Sequence, residues 1–550
     1  MGWSHILNPV LLRNEVWDLH RRLFSTNSET ARADPHDLFR AFIICAIAAV
    51  IPYRTGAHAQ HPGGYYRAAL HSIGPYLLTR GVDSIQDLLL IGRYGVYHHI
   101  GISIWELVQL CGRLCIEQGL HCGDAETGNL LHDQKIRRVF WQVYIIDRYS
   151  SITLDRPFAI DDSSIELGLP VDADDSDLAS LSPSTGGLDN FSEYNRSTQH
   201  TEVTSFLCCV RLRKLSSRIH GQLATLRQDP SLHAQPYLAV GRICTALNGL
   251  LQELENWYQS APALPNPTCL YESSEWFLLL FCRERIDLVR RAVDLIPKNN
   301  GAPPRHVVSL FLRAALQIIF NYSALSERKE FITYTRNYFH MMFTAGLSVM
   351  YCTSVSQHLP QAELLELSHG LQICEATLSK MSEQLTYART YTAVFAALHR
   401  HISVKIHRAR AAALPDGSDS LVHAKNLDLG SEGIPFGDTG STPQFYHHTR
   451  IGQNAEPPGH GQIPVADGSW QSTSLGDFSG AGPMFNSGVA TGSMDGNLFR
   501  GGAEGHATGD DDLLQWAFLH DESVWNMDLM LGEYVYGDPV HSGPLDGVQM

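Results

Sequence analysis

Apolar residues recur at helical spacing along most of the first 411 residues of the chain. Ile136, Phe140 and Val143, for example, fall three or four positions apart on one stripe, as the 3.6-residue period of an α-helix requires. Alternating strand patterns are nearly absent, so the sequence predicts an all-α body. The segments predicted to be helical are 86–100, 102–120, 135–152, 200–228, 234–260, 274–296, 305–326, 330–354, 361–379 and 383–411.

Three stretches depart from this helical pattern. Residues 154–199 are rich in Asp, Ser and Pro, and they predict a long irregular loop inside the body. Residues 412–509 hold 19 of the 45 glycines. A stretch of this composition has too little apolar surface to offset the entropy lost on ordering. We therefore expect a helical regulatory body at 1–411, a disordered linker at 412–509 and a separate tail at 510–550.

Charge is distributed unevenly between the body and the tail. The formal net charge is −16, and the last 50 residues contain ten acidic residues but no lysine or arginine. An acidic chain gains nothing from counterion release on a nucleic-acid backbone. Nucleic-acid binding by bulk charge is therefore disfavoured, although a local basic patch stays compatible with the sequence.

The acidic tail interleaves carboxylates with large apolar side chains. Repulsion between carboxylates keeps such a segment solvated, and its apolar residues can fold into a hydrophobic groove on a partner. This pattern predicts an activation segment that binds a transcriptional coactivator. The alternative is a terminal helix docked on the body. The predicted anchors are Trp516, Phe518, Leu519, Trp525, Leu529 and Met530.

No group of residues in the sequence predicts catalysis or a metal site. No cysteine pair has the Cys-x-x-Cys spacing, and Cys111 and Cys115, one helical turn apart, are expected to be buried thiols. Nucleophile-elbow, phosphate-loop, dinucleotide and zinc-protease motifs are missing. The longest apolar run, 41–53, is shorter than the roughly 20 residues that span a bilayer. We expect an intracellular, soluble, non-enzymatic protein without a resident cofactor.

The sharpest local feature covers residues 135–170. A helix with a basic first turn and an aromatic middle is followed by an extended segment that ends in Leu-Pro. Asp147 and Arg148 late in the helix are interpreted as a structural ion pair that holds the extended segment. An active site built on Asp147, Asp161 or Asp162 is disfavoured, because no nucleophile, base or metal set accompanies them.

This order of residues resembles the signature of the fungal-specific transcription factor domain, the helical middle homology region of binuclear zinc-cluster regulators. The resemblance covers about residues 10–380 and is strongest over 60–170. It implies a nuclear regulator of RNA polymerase II transcription, with metabolic gene clusters among its targets. The matching residues are Arg137, Arg138, Phe140, Trp141, Tyr144, Asp147, Arg148, Arg156, Pro157, Asp161, Asp162 and Pro170.

The sequence departs from this family pattern at two places. Asp155 stands where the family has glycine, and no cysteine precedes Cys45, so the family's six-cysteine zinc cluster has no counterpart here. DNA contact is therefore expected either directly or through a DNA-bound partner. The resemblance further implies a homodimer or a small-molecule effector as partner, and no membrane. The alternative function is a helical corepressor that competes for the partners of full-length relatives.

Overall fold

A computed structural model describes most of the body of this protein. Within the described residues the chain is all-helical and contains no strand, which confirms the predicted fold class. The predicted tail anchors and the linker beyond residue 412 lie outside the described residues. The structure describes residues 9–24, 34–75, 77–98, 100–123, 129–180, 200–234, 236–264, 266–267, 269–297, 303–327, 335–356, 360–385 and 388–412.

Fifteen α-helices are present in these ranges, and short 3₁₀ turns follow α6 and α10. In chain order they are α1 (Arg13–Phe24), α2 (Pro35–Arg54), α3 (Pro62–Ser72), α4 (Val82–Gly95), α5 (Ile104–Glu117), α6 (Leu130–Thr153), α7 (Asp175–Ser180), α8 (Thr204–Gln228), α9 (Pro230–Ala234), α10 (Pro236–Gln259), α11 (Ser274–Leu295), α12 (Arg305–Glu327), α13 (Arg336–Val355), α14 (Gln361–Gln384) and α15 (Ala388–Ala412).

The stretch predicted to be irregular is only partly so. Residues 154–174 follow an extended course with one 3₁₀ turn at Asp162–Ser164, but Asp175–Ser180 form the short helix α7. Residues 181–199 lie outside the described residues. The sequence does not predict this short helix, because Asp and Ser dominate it and these residues have low intrinsic helix propensity.

Polar side chains cap the helices that surround the candidate site. At α5, Ser103 accepts a hydrogen bond from the N–H of Glu106 at 3.0 Å, and the Glu106 carboxylate accepts one from the N–H of Ser103. Asn129 caps α6, Ser273 caps α11 and Thr335 caps α13 in the same way. Each cap satisfies an orphan backbone donor and contributes about 1 kcal/mol.

The helices bury two hydrophobic cores that meet along α6 and α8. The first core is formed mainly by α2, α4, α5 and α6, and the second by α8 and α10–α15. Helix α8 serves both, because Phe206 and Val210 pack in the first core while Leu212 and Ile219 pack in the second. The interface between these cores is where the cavities described below are found.

Two helices are long and apolar enough, by length and composition alone, to cross a membrane. They are α2 and α12, with 20 and 23 residues, so α2 is longer than the apolar run at 41–53. Phe39 and Ile43 of α2 pack in the first core, and Phe311 of α12 packs in the second. The buried core helices of soluble proteins also meet these criteria of length and composition, so the two helices are weak evidence for a membrane span.

Candidate functional site

Arg148 of α6 holds the extended segment that follows the helix. Its guanidinium is fully buried and donates to the carbonyl of Ile160 at 2.7 Å and to Oδ1 of Asp162 at 2.9 Å. The other terminal nitrogen donates to Oδ2 of Asp147 at 2.5 Å. One buried cation therefore joins the helix to two points of the segment. Bonds of this kind, with one or both groups ionised, are about twice as strong as neutral ones.

Aromatic rings enclose the same guanidinium. Its central carbon lies 4.2 Å from the ring centroid of Tyr144 and 4.1 Å from that of Phe158. The Tyr144 hydroxyl donates to Asp162 at 2.8 Å, and burial raises the pKa of this phenol. Ser217 of α8 donates to the second carboxylate oxygen of Asp162. The segment is thus fixed to α8 as well as to α6.

Asp147 supports the segment from its other side. Its Oδ1 accepts the N–H of Ala159 at 3.0 Å and the hydroxyl of Ser151 at 3.1 Å. Burial raises the pKa of Asp147, while Arg148 and these hydrogen bonds act in the opposite direction. Ser151 also donates to the carbonyl of Pro157 at 3.1 Å. Each oxygen of this carboxylate thus accepts at least one hydrogen bond that ties the helix to the segment or to Arg148.

The remaining residues of the signature brace the segment further along its course. Arg138 donates to Asp175 at 2.5 Å and to the carbonyl of Ala173 at 3.3 Å. The indole of Trp141 donates to the carbonyl of Gly168 at 3.0 Å. A Cβ added at Gly168 would lie 2.7 Å from a guanidinium nitrogen of Arg137. The guanidinium of Arg137 therefore packs closely over this glycine and would have to shift to admit a Cβ atom.

The last four signature residues lie at scattered positions. Phe140 is buried in the first core, and Pro170 is buried where the segment ends. Asp161 is exposed and caps the 3₁₀ turn by accepting the N–H of Ser163 at 2.8 Å. The guanidinium carbon of Arg156 lies 4.7 Å from the ring centroid of Trp105. The signature residues that hold the segment form a structural brace, which we call the α6 clamp: Arg138, Trp141, Tyr144, Asp147, Arg148 and Asp162.

A cavity of about 220 Å³ lies beside the clamp, between the two cores. None of the twelve signature residues lines it. Helices α4, α5, α6, α8, α11 and α13 form its walls, together with the segment that precedes α11. Its polar and aromatic lining residues include Arg93, Trp105, Gln142, Tyr149, Arg213, Tyr271, Trp276, Arg283, Asn337 and Tyr338.

Arg93 enters this cavity from α4. Its guanidinium donates to the hydroxyl of Tyr271 at 2.7 Å and to that of Tyr97 at 3.4 Å. The Nε atom of Arg93 is buried without a hydrogen-bond partner. Burial raises the pKa of Tyr338 on the facing wall to about 12, so its hydroxyl stays protonated and can donate.

Arg213 of α8 and Arg283 of α11 also line the cavity, and both approach the carboxylate of Glu284, which lines the second cavity described below. Glu284 accepts from Arg213 at 2.6 Å and from Ser216 at 2.7 Å, and it lies 3.5 Å from a nitrogen of Arg283. Burial acts to raise the pKa of Glu284, but the two arginines lower it overall. The ring of Tyr149 stacks between the two guanidinium groups, at 5.3 and 4.6 Å. One carboxylate is thus shared by two cations.

Residues 3–259 match the description "Fungal specific transcription factor domain". A stretch of just under half of the chain is therefore similar to the domain of this family. This confirms the resemblance seen in the signature, although the match ends at residue 259 rather than near 380. No solved structure matches the chain.

The relatives of this chain are fungal regulatory proteins. It is 25% identical to the negative regulator of pleiotropic drug resistance STB5 of Candida glabrata, over 39% of this chain and 20% of that protein. It is 21% identical to the positive regulator of purine utilization of Emericella nidulans, over 62% of this chain and 40% of that protein. It is also 21% identical to protein STB5 of Saccharomyces cerevisiae, over 65% of this chain and 47% of that protein. The chain therefore spans less than half the length of each of these relatives.

The departure of this chain from the family glycine has a structural consequence at the end of α6. Asp155 has a φ of 51°, in the left-handed region. The N–H of Arg156 donates to the carbonyl of Ser151 at 2.9 Å, and that of Asp155 to Ile152, the pattern of a Schellman cap that favours glycine. Aspartate tolerates this conformation better than most residues, but it does so at a cost.

Asp155→Gly is therefore expected to raise the free energy of unfolding by about 0.5–1 kcal/mol, because it relieves the left-handed strain. Asp155→Ala, which retains the Cβ atom, should lower it by about 1 kcal/mol. Chemical denaturation of the two variants beside the unchanged protein measures both effects. A less stable glycine variant would show that the 3.7 Å approach of Asp155 to Arg291 outweighs the strain.

A neighbouring cavity of about 110 Å³ is lined by a partly buried histidine of α13, which lies outside the matched residues 3–259. His340 lines it and pairs with the hydroxyl of Thr344 at 3.2 Å. Burial, with a smaller contribution from Arg290, lowers the pKa of His340 to about 3. In the unfolded chain His340 binds a proton near pH 6.5, whereas in the folded chain it stays neutral until the pH approaches 3. The stability that the neutral, partly buried imidazole contributes is therefore complete above pH 6.5 and is lost as the pH falls towards 3.

Between pH 6.5 and 5 we expect His340 to lower the free energy of unfolding by at most about 2 kcal/mol. A His340→Gln variant should lose less stability than the unchanged protein over the same interval. Denaturation curves at pH 7 and pH 5 for both proteins give the difference. Equal losses would mean that the imidazole takes up its proton in the folded state.

The sequence does not identify the cavity residues, although Arg93 and Arg283 are charged residues within apolar helical segments. Arg93 follows the apolar run 88–91 without a break in the helix, and Arg283–Glu284 interrupt the apolar face of α11. A charged residue within an apolar helix is costly unless it is paired or functional. Tyr149 and Tyr271 carried no such signal.

Proposed function

We propose that this protein regulates transcription by RNA polymerase II in the nucleus. The observation that carries the proposal is the match to the fungal specific transcription factor domain over residues 3–259. Relatives named as a negative regulator of drug resistance and a positive regulator of purine utilization support it. These names favour a regulator over the alternative of a helical corepressor without target genes, and none of the three is named as an enzyme.

The helical body is the regulatory part in this proposal. The α6 clamp fixes one arrangement of the extended segment, and the cavities leave space between the two cores. A ligand or partner that binds one packing of the helices better than another shifts the population toward it. The acidic tail at 510–550 would then bind a coactivator through its aromatic and leucine anchors.

Target recognition is the second part of the proposal. Promoters would be reached either by direct contact with DNA or through a DNA-bound partner, a second copy of the chain included. The acidic balance of the chain, −16 overall, favours a partner that supplies the cationic contacts to phosphates. Zinc enters only at the level of the family, because no ligand set for it is assigned in this chain.

The test is a reporter experiment that separates regulation from DNA recognition. The full chain is fused to a heterologous DNA-binding domain and recruited to a reporter promoter in a fungal host. We expect the fusion to change reporter expression several-fold relative to the DNA-binding domain alone. A nuclear, full-length fusion that leaves the reporter at background would contradict the proposed function.

A further inference from the structure

We propose that the cavity between the two cores binds a small organic carboxylate with an apolar body, held by Arg93 and Arg283. Binding follows from the chemistry of the cavity alone, and only its regulatory consequence rests on the proposed function. Three features of the cavity favour such a ligand: a partly buried cation without a carboxylate partner, a carboxylate shared by two arginines, and apolar walls.

Arg93 is the uncompensated cation. The four arginines that the structure buries most completely each have a carboxylate oxygen within 2.8 Å. Among the residues that the structure describes, Arg93 has only the phenols of Tyr97 and Tyr271 as polar partners. Its Nε atom has none. Arg93 is partly buried, with its Nε atom shielded from solvent. A guanidinium shielded in this way without an anion is costly, so the site favours a ligand that brings one. The four paired arginines are Arg40, Arg138, Arg148 and Arg213.

The opposite wall has a second deficit of negative charge. Arg213 takes the short contacts to Glu284, and Arg283 lies 3.5 Å from the same carboxylate. Three arginines line the cavity, and this one glutamate, which lines the neighbouring cavity, serves two of them. A planar guanidinium fork matches the two oxygens of a carboxylate. Tyr338 lines the same cavity, and its protonated hydroxyl can supply a further donor.

The rest of the lining is apolar and aromatic. Trp105 and Trp276 contribute ring surface, and aliphatic side chains fill the space between the charged groups. A cavity with many apolar walls and a few convergent polar groups is typical of small-molecule sites. A purely inorganic anion would leave these walls in contact with water, so the ligand is expected to carry an apolar body. The aliphatic lining residues are Leu89, Val96, Ile104, Ile145, Ile146, Leu280 and Met341.

The position of the cavity gives binding a structural consequence. Arg93 belongs to α4 of the first core, whereas Arg283 and Tyr338 belong to α11 and α13 of the second. A ligand that bridges these groups stabilises the packing of one core on the other. Under the proposed function, this would favour one regulatory state of the body.

The test uses 3-phenylpropanoate as the probe, with 3-phenylpropanamide and 3-phenylpropylamine as matched neutral and cationic analogues. Thermal unfolding of the full chain is followed with each compound at millimolar concentration, and tryptophan fluorescence reports on Trp105 and Trp276. At a hundredfold excess over Kd, we expect the acid to raise the unfolding midpoint by about 3 °C and to change the fluorescence. The amide and the amine should do neither.

Two variants assign the effect to the cavity. Arg93→Met and Arg283→Met should each weaken binding of the acid by tenfold or more, whereas Arg211→Met on the exposed face of α8 should leave it unchanged. If Arg93→Met fails to fold, Arg283→Met and the analogue series still decide the question. Equal responses to acid, amide and amine, or no response to the acid, would overturn the proposal. A reporter that stays silent while the acid binds would instead refute the proposed function.

Discussion

Replacing Arg148 with methionine is expected to lower the free energy of unfolding of the body by about 3–5 kcal/mol. The change removes the cation that pairs with Asp147 and Asp162 and leaves the buried Asp147 carboxylate without its counterion. It also removes the hydrogen bond to the carbonyl of Ile160. The loss should therefore exceed that of an ordinary exposed arginine by several-fold, since an unpaired buried charge is the main cost.

Chemical denaturation followed by far-ultraviolet circular dichroism measures this loss. Arg211→Met is the matched control, because Arg211 is an exposed arginine on α8, and it should change stability by less than about 0.5 kcal/mol. Limited proteolysis between residues 154 and 174 should become faster in the Arg148 variant, because the segment loses its attachment to α6. A loss below about 1 kcal/mol would show that the clamp is dispensable for stability.

The second large effect is expected in the acidic tail. Combined replacement of Trp516, Phe518, Trp525 and Leu529 by alanine should reduce reporter activation to the level of the DNA-binding domain alone. The substitutions keep every carboxylate, so any loss is due to the apolar anchors rather than to charge. Anchors of this type dominate the binding energy of helix-in-groove complexes.

A matched control uses alanine at small polar positions of the predicted linker. Ser472→Ala, Thr473→Ala and Ser474→Ala together should leave activation unchanged, because these positions offer no large apolar contact. Immunoblotting of both fusions confirms equal abundance. If the anchor variant activates as well as the unchanged chain, the tail does not recruit the coactivator through these residues. The alternative of a docked terminal helix would then regain weight.

Local sequence patterns were sufficient to predict the fold class. Helical spacing of apolar residues predicts the long helices, and the Asp147–Arg148 pair is predicted to hold the extended segment, where Arg148 contacts Ile160 and Asp162. These features depend on residues within about one element of each other, where spacing translates directly into geometry. The domain boundaries at 411 and 509 stay predictions.

The cavity, by contrast, could not be predicted from the sequence. Arg93 and Tyr271 are separated by 178 positions and yet form a hydrogen bond of 2.7 Å. Arg213 and Glu284 are separated by 71 positions. Such pairs arise only when the two cores pack together, and no local period encodes that packing. A charged residue within an apolar helix indicates that a partner exists, but it does not say which one.

Chromatin immunoprecipitation of the tagged protein in its own host, read together with transcript levels after its deletion, tests the central claim most directly. A regulator of transcription should be enriched at discrete promoters, and the transcripts from those promoters should change when the protein is removed. Enrichment would occur whether the chain contacts DNA itself or through a partner. A stable, expressed protein with no promoter enrichment and no change in transcripts would contradict the account.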